Sequence, residues 1–201
     1  MEDIPGKEDI VWLEPEGLTQ GVSLPDAYLL ILREKEEGLH LPLLLERDGF
    51  NLLVRATRHH EFPATHLMGE LAQTFGIRLS HVLIRRAGNG HISATLCLEQ
   101  TAGGTTTTRR LDTDLAAGIA AALEARRPIG IGRQDFARLY TRQRAAGQVA
   151  VPIASMGDDL LREALKQAVE NDNFELASQL RDELRSRDAQ HPAAPQEGDA
   201  D

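Results

Sequence analysis

The run Gly88-Asn89-Gly90 constrains the fold more than any other feature of the chain. Before it, Ile77, Leu79 and His81 alternate with polar residues; after it, Ile92, Ala94, Leu96 and Leu98 alternate again. Alternation gathers one set of side chains on one face of an extended strand. Asn-Gly supplies the positive φ angles that a tight hairpin turn needs. The pattern predicts two antiparallel strands and, since a lone hairpin is only marginally stable in water, a larger sheet around them. Residues 103–108, with Gly103-Gly104 at their head, read as a turn into a third strand ending near Leu111.

Other segments supply the rest of a single α+β domain with a mixed sheet. Residues 28–32, 33–38 and 39–45 read as strand, charged turn and strand, and residues 48–57 as a short helix with Phe50, Leu53 and Val54 at helical spacing. After Pro63, Thr65 reads as a helix cap. Leu67, Met68, Leu71, Ala72 and Phe75 form an apolar stripe, and Gly76 is the stop. An Ala-rich helix over 114–125 has Asp112, Thr113 or Asp114 available as its cap. Residues 128–131 read as a short buried strand and 134–140 as another short helix. The expected organisation is an acidic flexible arm over 1–25, the α+β domain over 26–141, a linker over 142–156, a two-helix antiparallel hairpin over 157–188 and a disordered tail over 189–201.

Composition narrows the function classes. No apolar run approaches the ~20 residues of a membrane-spanning helix, and residues 1–9 are acidic, without the basic-then-apolar pattern of a secretory signal. The chain therefore reads as cytoplasmic, with no membrane partner. Cys97 is the only cysteine, which excludes an internal disulfide and a Cys-pair zinc site. Its surroundings hold no activating motif, and it reads as structural. Net charge is −9, unevenly spread: −8 over 1–50, +6 over 51–150 and −7 over 151–201. Every central cation is Arg, which grips phosphate with a planar two-pronged donor set. Arg85, Arg86, Arg109, Arg110, Arg126 and Arg127 are the candidate DNA or RNA contacts, a solvated arginine surface being the plainer alternative. The adjacent His59-His60 reads as surface, and Gly130-Ile131-Gly132 is too short a glycine signature for a nucleotide site.

The C-terminal hairpin is short for a self-sufficient apolar core. Leu161, Leu165 and Ala168 mark one helical face, Asn171-Asp172-Asn173 breaks the pattern, and Phe174, Ala177, Leu180 and Leu184 mark a second face, with Arg181 beside it. The run Phe174-Glu175, Ala177, Leu180-Arg181-Asp182, Leu184 closely resembles the UVR motif. That motif ends the B subunit of bacterial nucleotide-excision repair and occurs in its C subunit and in Clp-protease regulators. The resemblance implies that Leu161, Leu165, Ala168, Phe174, Ala177, Leu180, Arg181 and Leu184 meet a partner: another UVR-bearing or helical protein, or a second copy in a homo-oligomer.

The body resembles the bifunctional nuclease (BFN) domain, credited with cutting DNA and RNA. Leu41-Pro42-Leu43 is similar to that family's Leu-Pro-Ile, Pro63-Ala64-Thr65-His66 to its Pro-x-Thr-His, and Asp112 with the Ala-rich helix and Pro128-Ile129 to its Asp-led helix and Pro-Ile strand. Such a domain beside a UVR hairpin is a familiar bacterial arrangement. Three acidic positions of the family fall here on Gly49, Leu67 and Ala117. Metal-assisted phosphodiester cleavage needs clustered oxygen ligands. The resemblance leaves His66, Asp112 and Asp114 as candidate catalytic residues, with Glu61 and Glu70 near His66 and Mg²⁺ or Mn²⁺ as the ion. The metal ligands themselves are not identified. The missing acids imply that nuclease activity is reduced or lost. The plain alternative makes His66, Asp112 and Asp114 helix-cap residues, and the chain a non-catalytic adaptor or nucleic-acid binder.

Overall fold

The computed structural model describes residues 6–20, 28–57, 63–87, 89–141 and 151–190. Its elements in chain order are β1 (Ile10–Gln20), β2 (Tyr28–Glu34), β3 (His40–Leu45), α1 (Arg47–Thr57), α2 (Pro63–Thr74), β4 (Ile77–Arg86), β5 (Ile92–Ala102), β6 (Thr105–Asp114), α3 (Leu115–Ala125), β7 (Ile129–Gly132), α4 (Arg133–Leu139), α5 (Asp158–Glu170) and α6 (Phe174–Gln190). They fall into two units. One comprises the described residues up to Arg86 together with Ile92–Ser155, and the other Ala87–His91 with the described residues from Met156 onward.

The first unit is the expected α+β domain. Its seven strands run in the order β3-β2-β1-β7-β4-β5-β6, antiparallel throughout except for the parallel pair β4–β7. Helices fill one face. Leu53 of α1, Leu115, Ile119 and Ala122 of α3, and Phe136 and Leu139 of α4 join Leu32, Leu43, Val82, Ile84 and Ile131 of the strands in one aliphatic cluster. Gly118 lets α3 lie close to the sheet, since a Cβ there would sit 2.3 Å from the Ala94 Cβ. The same cluster takes in the short, continuously apolar β7, as expected of a fully buried strand.

Residues 10–20 are not an arm. Ile10, Val11 and Leu13 are buried, and β1 lies between β2 and β7. The four-residue run Ile10-Val11-Trp12-Leu13, β-branched and aromatic, outweighs the nearby acids and prolines because its burial contributes far more than solvated carboxylates oppose. Pro15 is tolerated because β1 pairs with β7 only over Ile10–Leu13. Pro15 itself lies beside a bulge against β2. The remainder of the expected arm, apart from residues 6–9, lies outside the described residues.

The β4–β5 hairpin forms as expected, with one change of face. A bulge at Ser80 pairs Leu79 with Leu98 but His81 with Cys97, so Leu79 and His81 occupy opposite faces despite their spacing of two. Helix α2 begins at Pro63 rather than after Thr65, using proline at its first position, and stops at Gly76 with φ +68°. Leu71 and Phe75 of its stripe stay exposed. The expected linker is ordered over 151–156: Ser155 is buried in a short 3-10 turn, and Arg86 Nε donates to the Ala154 carbonyl at 3.1 Å. Residues 142–150 and 191–201 lie outside the described residues, and α6 runs past the expected start of the tail to Gln190.

The second unit is the antiparallel hairpin of α5 and α6. Its turn closes with Asp172 at φ 55°, Asn173 N–H donating to the Ala168 carbonyl at 2.8 Å and Asp172 N–H to Val169 at 3.2 Å. That pair of bonds satisfies the last carbonyls of α5. Asn173 Oδ1 then accepts from Leu176 N–H at 3.2 Å and opens α6.

Candidate functional site

Cross-strand register sets Trp12, Gly130, Leu83, Thr95 and Asp112 in one row across the sheet face away from the main helical cluster. His81, Cys97 and Arg110 form a second row, and Arg85, Ser93 and Asp114 a third. Trp12 lies over Gly130, where a Cβ would stand 3.2 Å from its ring carbons, and it meets His81 edge to face at 5.6 Å. The indole stays 41% exposed. Its place on a strand was missed in the sequence because its segment was assigned to the arm; the apolar run at Ile10 was the available signal.

The two candidate acids on this face have local tasks. Thr95, which is buried, donates its hydroxyl to Asp112 Oδ1 at 2.6 Å. Asp114 Oδ1 accepts from Ala117 N–H at 2.9 Å and caps α3. His66 lies in α2, but its side chain falls outside what the structure describes, as do His59, His60, Glu61 and the side chain of Leu67. Among the described residues, no three His, Cys, Asp or Glu side chains gather as a metal ion requires.

Gly49, one of the positions where the nuclease resemblance places an acid, meets α3 as a small apolar group. A Cβ on Gly49 of α1 would lie 2.9 Å from the Ala116 Cβ of α3, and Ala116, beside Ala117, is buried. A contact this tight leaves no room there for a carboxylate. Neither Gly49 nor Ala117 carries a side-chain oxygen that could ligate Mg²⁺ or Mn²⁺.

The candidate arginines do not form one patch. Arg85 and Arg110 share the face of Cys97, while Arg86 is half-buried and turned to Ala154. Arg109 lies on the opposite face of β6 from Arg110, and Arg126 ends α3 in the left-handed region with Arg127 behind it. Burial pushes the Cys97 thiol up, and Arg110 and Arg85 pull it the other way. The buried sulfur therefore stays protonated at neutral pH and is a poor nucleophile.

In the hairpin unit, Leu161, Ala168, Ala177 and Leu180 are buried in the single chain, Leu165 and Leu184 are half-buried, and only Phe174 and Arg181 of the eight expected contact residues are exposed. The stripe expected to await a partner is thus largely interior, because α5 and α6 pack on one another. The apolar groups left in water flank the turn instead: Val169, Phe174 and Leu176, Phe174 at 68% exposure. Exposed Glu170, Asp172 and Glu175 stand among them.

Arg187 was also missed. Only 4% exposed, its guanidinium donates to Glu183 Oε1 at 2.8 Å, Asp158 Oδ1 at 2.9 Å, the Met156 carbonyl at 2.8 Å and the Asn89 carbonyl at 3.2 Å. By sequence alone it is one more cation near a helix C-terminus, where the helix dipole favours positive charge.

Residues 159–188 match the family model of the UvrB/uvrC motif (UVR), which spans most of α5 and α6. No curated protein matches the chain. No helix among the described residues is long and apolar enough to cross a membrane.

Proposed function

We infer that the chain acts as an interaction protein, its UVR hairpin engaging a helical surface of another protein, or of a second copy, through the apolar tip formed by Val169, Phe174 and Leu176. The observation that carries this is the exposure of those three side chains at the turn of a hairpin whose other apolar residues are mostly shielded. Solvent-exposed apolar groups clustered on an otherwise polar surface are a common mark of a docking site. The acids around them favour a partner with an apolar groove and a basic rim.

The body is read as a bifunctional-nuclease type domain in which cleavage is reduced or lost. Gly49 supports this, since at a position where the family carries an acid it packs against Ala116 of α3. Asp112 and Asp114 support it too, each engaged in a local hydrogen bond.

Binding of the full chain to a purified UVR-bearing protein, with Phe174→Asp and Leu176→Asp beside the wild type, tests the first part. Loss of binding with retained helicity is expected; unchanged binding removes the tip from the interface. Incubation with single-stranded RNA and DNA in Mg²⁺ or Mn²⁺ tests the second. Little or no cutting is expected, and robust cutting abolished by His66→Ala overturns it.

A further inference from the structure

The two edges of the sheet are finished differently. At β3, Pro42 lies within the strand, and Thr141 exchanges backbone hydrogen bonds with His40, N–H to carbonyl at 2.7 Å and 3.0 Å. These features blunt an edge. At β6, ten residues pair with β5 without a bulge, from Ser93–Asp114 to Ala102–Thr105. The strand holds no proline or lysine, and it is exposed throughout except at half-buried Thr113. Leu111 within it stands 54% exposed. Among the described residues no strand pairs with the outer side of β6, and a long, regular edge of this kind is a template for another strand.

The sequence of β6 selects the occupant. In an antiparallel strand the outward-facing peptide groups recur at every second residue, so two copies of one strand meet in registers that set some residue opposite itself. Centring on Arg109, Arg110, Asp112 or Asp114 opposes like charges, and centring on Thr113 opposes Asp112 to Asp114. Centring on any of Thr105 to Thr108 leaves no cation opposite an anion. Centring on Leu111 alone places Arg110 opposite Asp112 of the other copy, and the reverse by symmetry. It also sets Leu111 against Leu111, and Arg109 and Thr108 against Thr113 and Asp114. Both charge pairs then lie on one face and the leucine pair on the other.

The geometry points to a two-fold homodimer in which β6 of one copy pairs antiparallel with β6 of another about Leu111, joining two seven-stranded sheets. This surface lies wholly in the sheet unit and is independent of the hairpin reading. It gives Arg110 and Asp112 a role in self-recognition in place of phosphate binding and catalysis.

Sedimentation equilibrium of the full chain at micromolar to sub-millimolar concentration should return a dimer. Arg110→Asp alone and Asp112→Arg alone should each raise its dissociation constant by about tenfold or more, because each sets like charges opposite one another twice. Mixing those two variants should restore association as a heterodimer, since both cross-strand pairs are again opposite in sign. Directly opposite residues lie within disulfide reach, so Leu111→Cys should cross-link to itself under mild oxidation and Arg109→Cys should not. Circular dichroism controls for folding. Phe174→Asp should leave the dimer intact, which separates this interface from the hairpin tip. A monomer throughout the range, a dimer indifferent to Arg110→Asp, one abolished by Phe174→Asp, or self-cross-linking at 109 as fast as at 111 overturns the proposal.

Discussion

Leu32, Leu41, Ile84 and Ile131 in the sheet unit and Arg187 in the hairpin unit are shielded from water to a similar degree, but different forces hold them. The sheet unit closes on aliphatic side chains, whose burial is non-directional and scales with area. Its α3 seals it with Ala, Gly and Ile rather than with polar groups. The hairpin unit has a few buried Leu and Ala residues and then a guanidinium held by two carboxylates and two carbonyls. Thirty-odd residues of helix bury too little apolar area to fix one arrangement firmly. A fork of directed bonds ties the start of α5, the end of α6 and the turn at Asn89 to one geometry. The sheet interior should thus tolerate swaps that conserve volume, while the hairpin interior should tolerate almost none at its charged end.

The largest expected effect breaks that charged end. Arg187→Ala leaves Asp158 and Glu183 without their shared cation, and losing one partner of a buried ion pair typically costs about 3–5 kcal/mol. Arg187→Lys should recover only part, since an ammonium cannot reproduce the planar fork. The loss should appear as faster hydrogen exchange confined to residues 156–190, with the sheet amides unchanged. Gly90→Ala should act in the same direction: Gly90 has φ +80°, and an added Cβ would come 2.2 Å from the Arg187 guanidinium. Equal loosening of both units in Arg187→Ala would mean that the arginine is not a local clasp.

Next come the aliphatic sites. Leu32→Ala should lower stability in urea by about 2–5 kcal/mol and Ile84→Val by about 0.5–1.5 kcal/mol, the ordinary costs of cavities in a close-packed core. An intermediate loss, about 1–3 kcal/mol, is expected of Gly118→Ala, although alanine is the better helix former. The added methyl would meet the Ala94 Cβ, which is fixed to a central strand and cannot rotate away. A gain in stability there would show that α3 can lift off the sheet at little cost.

The two interiors also differ in how far they could be read from residues alone. Alternation about Asn89-Gly90 announced β4 and β5, and the apolar runs announced β2, β3 and β7, because hydrophobic periodicity is a local record of which face is buried. The bulge at Ser80 left no such record, since it depends on how β4 pairs with β5 and not on β4 itself. Strand β1 was hidden by its company: acids and prolines surround Ile10–Leu13, and local composition carries no knowledge of the β2 and β7 edges that wait to pair with it. Two glycines, Gly49 and Gly118, are contact points between elements distant in sequence, which no local pattern records. Of the candidate site, the hairpin and its turn were legible from helical spacing and the Asn-Asp-Asn break. Which leucines face water was not, because burial depends on how the two helices are rotated about their axes. Arg187 illustrates the same limit: a cation at a helix end looks like a dipole partner until the fold brings Asp158 and two carbonyls to it.

The smallest effect tests whether a charge in the sheet unit can match the arrangement around Arg187. Asp135 opens α4 and is half-buried, and its pKa is raised above the ordinary 3.8 chiefly by that burial, with Arg86, Arg138 and Arg85 pulling it back down. Its neighbours thus compensate its burial incompletely. Because the folded chain holds this proton more tightly than the unfolded chain does, stability falls as pH rises from the unfolded to the folded pKa, and the penalty persists above. Asp135→Asn cannot titrate and keeps an acceptor oxygen for the Arg86 backbone N–H. It should therefore be slightly more stable than the wild type near neutrality, by less than about 1 kcal/mol for a partly solvated group. The difference should vanish on acidification below the unfolded value. Urea unfolding of both chains across that interval measures it. A variant less stable than the wild type at neutral pH would show that the arginines outweigh burial, and that this carboxylate, like the pair in the hairpin, holds its unit together.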